Sequence, residues 1–147
     1  MSGCSSQEKG IIMVCIYCGS ETKVPNSRHQ KRTNSVWRRR RCLLCKAVFS
    51  TIETAESSST LRVRMPNGSL QPFLRDNLLI SVYDSLRHRK SALQDATGLT
   101  ATIVSNVYSI ADNAIIDREA VVTVSLAVLE RFDPVAATHY KAFHPLV

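Results

Sequence analysis

The sequence predicts an α+β chain in two parts: a small all-β module built around four cysteines, then a mostly helical domain led by a β-hairpin. Three observations carry this. Cys15-Ile-Tyr-Cys18 and Cys42-Leu-Leu-Cys45 are paired knuckles separated by 23 residues. Val48-Phe-Ser-Thr-Ile52 alternates in the period of a strand. Beyond residue 60 the apolar residues recur every three or four positions, behind an Asn67-Gly68 turn signal.

Four thiolates in two Cys-x-x-Cys knuckles are enough to close a tetrahedral zinc shell. Each knuckle turns tightly, so both of its sulfurs face one point, and the residues between run out and back as short strands. A shell of Cys15, Cys18, Cys42 and Cys45 leaves no position for an activated water. One zinc per chain is therefore expected to be structural. Disulfides within Cys-x-x-Cys pairs would close strained small loops, and nothing marks the chain as secreted. A redox reading needs a single such pair beside a βαβ pattern, which is not present here.

The charge sits in the same stretch. From Cys15 to Lys46 there are nine basic residues and one acid, Glu21. That is +8 on 32 residues against +7 for the whole chain, so everything else sums to −1. Charge runs are commonly no more than solvated faces. Concentration of the whole excess on one small module instead predicts a polyanionic partner. Trp37, the only tryptophan, opens the arginine run. It can stack on a base or sugar, or cap the small core of the ribbon; the need of so small a module for aromatic burial favours the core.

A chain of 147 residues holds one ordinary domain or two small ones, and 44% hydrophobic with 21% charged residues is a globular composition. No apolar run approaches the ~18 residues of a membrane span, and Ile11 to Tyr17 has no signal-peptide context. Reduced cysteines and the lack of an export signal point to the cytoplasm. Residues 1–13 are rich in Ser and Gly and read as a disordered arm, with Cys4 a free thiol. Met13 is an alternative start.

The ribbon spans 14–54. Pro25-Asn-Ser marks a turn after the first knuckle and Thr33-Asn-Ser a second one between strands. Ala55 to Thr60 is polar and reads as a linker. The second domain, 61–147, opens with Leu61-Arg-Val-Arg64 as a strand, turns at Asn67-Gly68 and returns from Ser69 to Phe73. Leu74, Leu78, Val82 and Leu86 then define an amphipathic helix to about His88. Arg87, His88, Arg89 and Lys90 complement its C-terminal end as a solvated cluster. Ile103, Val107, Ile110 and Ala114 define a second helix with Thr100 as its N-cap. Asp117 opens a third, to Phe132, although the β-branched Val121-Val-Thr-Val124 also suits a strand. Asp133-Pro134 supplies an N-cap and first-turn proline for a fourth, to about His144.

Signals for catalysis are weak. His29, His88, His139 and His144 are scattered, with no carboxylate constellation and no phosphate-binding glycine loop. The reading is of a regulator and not an enzyme.

These features together resemble the NrdR family, bacterial transcriptional repressors of ribonucleotide reductase genes that join a zinc ribbon to an ATP-cone. The resemblance is densest over Cys15-Ile-Tyr-Cys-Gly19, Thr22-Lys-Val-Pro-Asn-Ser-Arg28, Arg38-Arg-Arg-Arg-Cys42-Leu-Leu-Cys45 and Phe49-Ser-Thr-Ile-Glu53. It implies a ribbon that binds double-stranded operator DNA through Lys23, Arg28, Arg38, Arg39 and Arg40, with Arg41 completing the run. The remainder looks like an ATP-cone, through the hairpin, Pro72-Phe73 and Leu129-Glu-Arg-Phe-Asp-Pro-Val-Ala136. That resemblance implies ATP or dATP as effectors that change homo-oligomeric state, with Arg64, Asn67, Gly68, Arg87 and Arg89 at the nucleotide. There are departures. Met65 and Pro66 stand where the family has two basic residues, and Asn77 where it tends to have lysine. Trp37 sits where the family begins its arginine run, and the loop from His29 to Asn34 is about one residue short. Two alternatives stay open: a general nucleic-acid ribbon, RNA included, whose second domain only oligomerises, and an allosteric module of an enzyme.

Overall fold

The computed structural model describes residues 12–145. The expected N-terminal arm, with Cys4, lies mostly outside them. The chain divides between Thr54 and Ala55 into two compact units.

The first unit is an antiparallel sheet of β1 (Thr22–Gln30), β2 (Ser35–Cys42) and β3 (Val48–Glu53), with β2 in the centre. Pro25 does not turn the chain. It lies within β1 at a bulge, where Lys23 faces Arg41 but the next paired residue is Asn26, facing Arg39. A proline cannot donate to a ladder, so an edge strand with one extra residue accommodates it where a central strand would not. The Thr33-Asn34 signal does mark a turn, with Asn34 in the left-handed region at φ 45°. Among the described residues, the buried apolar core of this unit is Cys15, Cys42 and Phe49, with Ala47 against them. So little apolar burial cannot hold a sheet alone, and the sulfurs must carry the rest.

In the second unit, the stretch expected as a linker contains a one-turn helix, α1 (Ser57–Thr60). The Glu56 carboxylate caps it, accepting from the amides of Ser58 at 2.9 Å and Ser59 at 2.8 Å. The hairpin follows as β4 (Arg62–Arg64) and β5 (Leu70–Pro72), turned at Gly68 with φ 82°. A third strand, β6 (Ile115–Asp117), pairs parallel to β4 and completes a sheet of order β5-β4-β6. Three residues are too few to show a strand period, which is why the sequence did not expose it.

The helices are α2 (Arg75–Ser85), α3 (Ala92–Ile110), α4 (Arg118–Phe132) and α5 (Pro134–Phe143). Thr100 is not an N-cap: α3 begins eight residues earlier, and Thr100 is fully buried within it. Gly98 and the threonines around it depress helix propensity locally. Burial of Ala96, Ile103 and Val107 on one face overrides that deficit. Ala114 lies beyond α3, in a tight reversal with Asn113 and Ala114 both at positive φ, 48° and 61°. Asp112 and Ile115 exchange backbone bonds of 3.0 and 2.8 Å across it. Val121 to Val124 are helical, because Val122, Leu126 and Leu129 form a buried stripe at helical spacing. Asp133 caps α5 as expected, its Oδ1 accepting from Val135 and Ala136. A contiguous core built on Leu61, Phe73, Val82, Leu86, Ile103 and Leu129 joins sheet to helices.

Candidate metal centre and nucleic-acid face

The sequence builds the metal centre from two similar turns. In the first, Gly19 donates to the Cys15 carbonyl at 2.9 Å and takes φ 73°. In the second, Lys46 occupies the equivalent place after Cys45 and takes φ 63°, with its Nζ on the Leu43 carbonyl at 2.6 Å. The leading sulfur of each knuckle faces a backbone amide: Tyr17 N lies 3.5 Å from Cys15 Sγ, and Cys45 N 3.4 Å from Cys42 Sγ.

These turns bring Cys15, Cys18, Cys42 and Cys45 together, with all four sulfurs within 4.8 Å of one another. Sγ of Cys15 lies 3.7 Å from that of Cys45, and Sγ of Cys18 3.5 Å from that of Cys42. A tetrahedron with Zn–S of about 2.3 Å has S···S edges of about 3.8 Å. The donor set therefore fits zinc in number, element and spacing, and the cysteines are unpaired thiols.

Their acidities point the same way. Hydrogen bonding from the Ser20 side chain and backbone, with help from Cys42, draws Cys18 down to about 6. At Cys45 the Ala47 amide pulls downward, but Cys42, desolvation and the other two sulfurs outweigh it and push the thiol up to about 12. Four sulfurs this close cannot all ionise unless a cation shares the charge. A dication would supply that charge and hold both knuckles.

The ladder sorts the basic residues between two faces, since directly paired residues in antiparallel strands share a side. One face bears Cys42, paired with Thr22, and Phe49, paired with Arg40. Arg38 and Arg40 belong to it. Arg38 Nη2 pairs with Glu53 at 3.1 Å, and Arg40 reaches Thr51 Oγ1 at 3.2 Å and Thr22 Oγ1 at 3.4 Å. Three rungs of the opposite face cross all three strands: Lys23–Arg41–Val48, Asn26–Arg39–Ser50 and Arg28–Trp37–Ile52. Lys23, Arg28, Arg39 and Arg41 are exposed there, and no carboxylate lies on that face of the three strands. Trp37 is half-buried and lies outside the Cys15–Cys42–Phe49 core, so it does not cap that core. An odd-numbered place in β2 puts it across the sheet from Cys42.

The residues assigned by resemblance to a nucleotide fall in two places. Arg64 ion-pairs with Asp117 at 3.0 Å across the β4–β6 pair, and both side chains are more than half exposed. Asn67 Oδ1 accepts from the Ser69 amide at 3.0 Å, an Asx turn that shapes the hairpin tip beside Gly68. Arg87 pairs with Asp84 at 2.8 Å. Arg89 is built into the fold: Nε to Asp95 at 2.9 Å, Nη1 to Asp133 at 3.1 Å, and its guanidinium over the Phe132 ring at 4.8 Å. His88 Nε2 lies 2.9 Å from the same Asp133 oxygen. Thus the cluster after α2 is not simply a solvated helix end, because two of its four members tie α2, α3 and α5 together. Among the described residues, no hydrogen bond or ion pair links the hairpin set to Arg87 or Arg89. His139 Nδ1 lies 3.3 Å from the Ser85 carbonyl, and the His144 ring packs 4.4 Å from that of Tyr140, so both rings are engaged within the fold.

A ribbon closed by four cysteines and followed by a hairpin-led helical unit defines a zinc-ribbon protein with a fused second domain. The family model described as "Transcriptional repressor NrdR-like, N-terminal domain" matches residues 13–53. Transcriptional repressor NrdR of Tropheryma whipplei (strain Twist) is 32% identical over 133 residues, covering 90% of this chain and 87% of that protein. The same-named protein of Heliobacterium modesticaldum is 30% identical over 133 residues, covering 90% and 86%. That of Afipia carboxidovorans is 32% identical, covering 90% and 83%. The chain belongs to the NrdR family of transcriptional repressors. Among the described residues no helix is long and apolar enough to cross a membrane.

Proposed function

We propose that this chain is a cytoplasmic, zinc-dependent repressor that binds operator DNA of ribonucleotide reductase genes and performs no catalysis. Cys15, Cys18, Cys42 and Cys45 would hold one structural zinc, which supplies the cross-link that a core of three buried residues cannot. The ribbon so held carries nine basic residues, and four of them, Lys23, Arg28, Arg39 and Arg41, stand exposed on one face where a phosphate backbone can meet them. Phosphate contacts position such a module, and arginines at groove edges can read guanine. The single observation that carries this reading is the location of the whole positive excess on the metal-held unit. Titration of the zinc-loaded chain with operator duplex, unrelated duplex and RNA tests it. Operator duplex should bind tightest, and equal affinity for all three would instead favour a general nucleic-acid ribbon.

Control of association by ATP or dATP is the second reading, supported by the resemblance of the hairpin and the following helix to an ATP-cone. A triphosphate leaving water needs charge-assisted donors. Met65 and Pro66 offer none, and Arg64 and Arg87 must leave Asp117 and Asp84 to serve it. Nucleotide binding is accordingly expected to be weak. A bound nucleotide would act by favouring one association state of a homo-oligomer, and so would set how many ribbons meet adjacent half-sites.

A further inference from the structure

We infer that duplex DNA is met by one face of the ribbon sheet, the one turned away from the cysteines. On it Trp37, beside Ile52, makes a non-ionic contact, while Arg38 and Arg40 act inside the ribbon as braces. This rests on the reading that the ribbon binds double-stranded DNA, and it specifies the surface and the division of labour on it.

Lys23, Arg28, Arg39 and Arg41 share a face with Trp37, Val48 and Ile52, and among the described residues of the three strands no carboxylate lies on it. Successive rungs lie about 7 Å apart along the strands. The four cations are thus spread over a patch about 14 Å long, with Arg28 and Trp37 in its last rung. A patch of one sign without internal partners is left to a polyanion to neutralise. The other two arginines are differently placed. Arg38 is paired with Glu53 through Nη2, and Arg40 reaches Thr51 and Thr22 through Nε and Nη1, so each has side-chain bonds to neighbouring strands that, among the described residues, the four cations of the other face lack.

Trp37 is what pure phosphate binding does not explain. It is only half-buried, stands opposite Arg28 on one side and Ile52 on the other, and Ile52 is 63% exposed. An isolated exposed apolar residue means little, but an indole and an isoleucine side by side within a cationic face form a patch that water solvates poorly. Against a duplex, such a pair suits the apolar faces available there, deoxyribose and thymine methyl groups.

The only tryptophan of the chain is its own reporter. Titrate the zinc-loaded full chain with labelled duplex, following both the label's anisotropy and the accessibility of Trp37 to iodide, across a range of salt. Bound duplex should shield Trp37. Arg39→Ala and Arg41→Ala should each flatten the slope of log affinity against log salt by about 0.9. Arg38→Gln should leave the slope as it was. Trp37→Ala should weaken binding about tenfold at every salt concentration with the slope unchanged, as expected for loss of about 60 Å² of apolar contact. Zinc content of each variant establishes that the ribbon is intact. Duplex binding with Trp37 still open to iodide, or a slope that responds to Arg38 and not to Arg39 and Arg41, would overturn the inference while leaving DNA binding standing. Preference for single strands or RNA would overturn it too. Failure to bind any duplex at low salt would remove both it and the reading beneath it.

Discussion

The sulfurs of Cys18 and Cys42, 24 residues apart in sequence, lie 3.5 Å from each other and join the two knuckles of the ribbon. Cys42 is also the last residue of β2 and is almost fully buried, so one side chain serves both the sheet and the metal centre. Replacing Cys42 by Ser should therefore release the metal and unfold the first unit. The second unit, whose core contains no cysteine, should remain helical. Metal analysis and far-UV circular dichroism check this; one zinc per chain retained in the variant would contradict it.

Lys46 holds a backbone conformation that L residues adopt at a cost of roughly 1–2 kcal/mol. Gly19 occupies the matching place in the other knuckle, where glycine meets no such cost. Lys46→Gly should stabilise the zinc-loaded ribbon by up to about 1 kcal/mol, once the greater freedom of glycine in the unfolded chain is set against the relief. Thermal or denaturant unfolding of the ribbon measures it.

Asp133 is one of the carboxylates that give the helical unit its acid dependence, together with Glu56 and Asp95. Hydrogen bonding by His88, followed by the Ala136 amide, Arg89 and the Val135 amide, outweighs desolvation and holds its carboxyl at about 2, below the ordinary 3.8. A depressed carboxylate contributes stability that is fully present above its unfolded value and is lost as the pH falls through the folded one. This contribution should accordingly be intact above pH 4 and fade between about 4 and 2. Asp133→Asn should lower the melting temperature at neutral pH by several degrees and flatten the acid limb. Melting curves of both proteins across that range decide it.

Much of this architecture could be read from residue spacing, and the remainder has physical reasons for being hidden. The knuckles declare themselves because metal geometry demands fixed spacing, and Asp133-Pro134 because cap and first-turn chemistry is local. The faces of β2 were not visible, since four consecutive arginines carry no alternation of their own; only pairing with Phe49 and Thr51, and the ion pair to Glu53, separate Arg38 and Arg40 from the rest. Pro25 read as a turn because its bulge exists only against a partner strand. Likewise the role of His88 and Arg89 depends on Asp95 and Asp133, the latter more than forty residues away.

Nucleotide control makes a separate prediction. With Met65 and Pro66 giving no donors, ATP and dATP should bind only at high micromolar to millimolar concentration by calorimetry. Arg64→Ala should weaken that binding roughly threefold to tenfold, a modest loss because the side chain is exposed. Solution mass measurements without nucleotide, with ATP and with dATP should show a shift in oligomer distribution. Absence of heat and of any shift at millimolar nucleotide would make the second unit a fixed association domain.

Metal, ribbon and DNA are linked in the account by a single dependence, which anisotropy of a labelled ribonucleotide reductase operator duplex can measure in zinc-loaded and chelator-treated protein. The zinc-loaded chain should bind it more tightly than unrelated duplex. Chelation should abolish that binding, and added zinc should restore it, with the second unit helical throughout. Equal affinity of the metal-free and zinc-loaded chains for the operator would contradict the account.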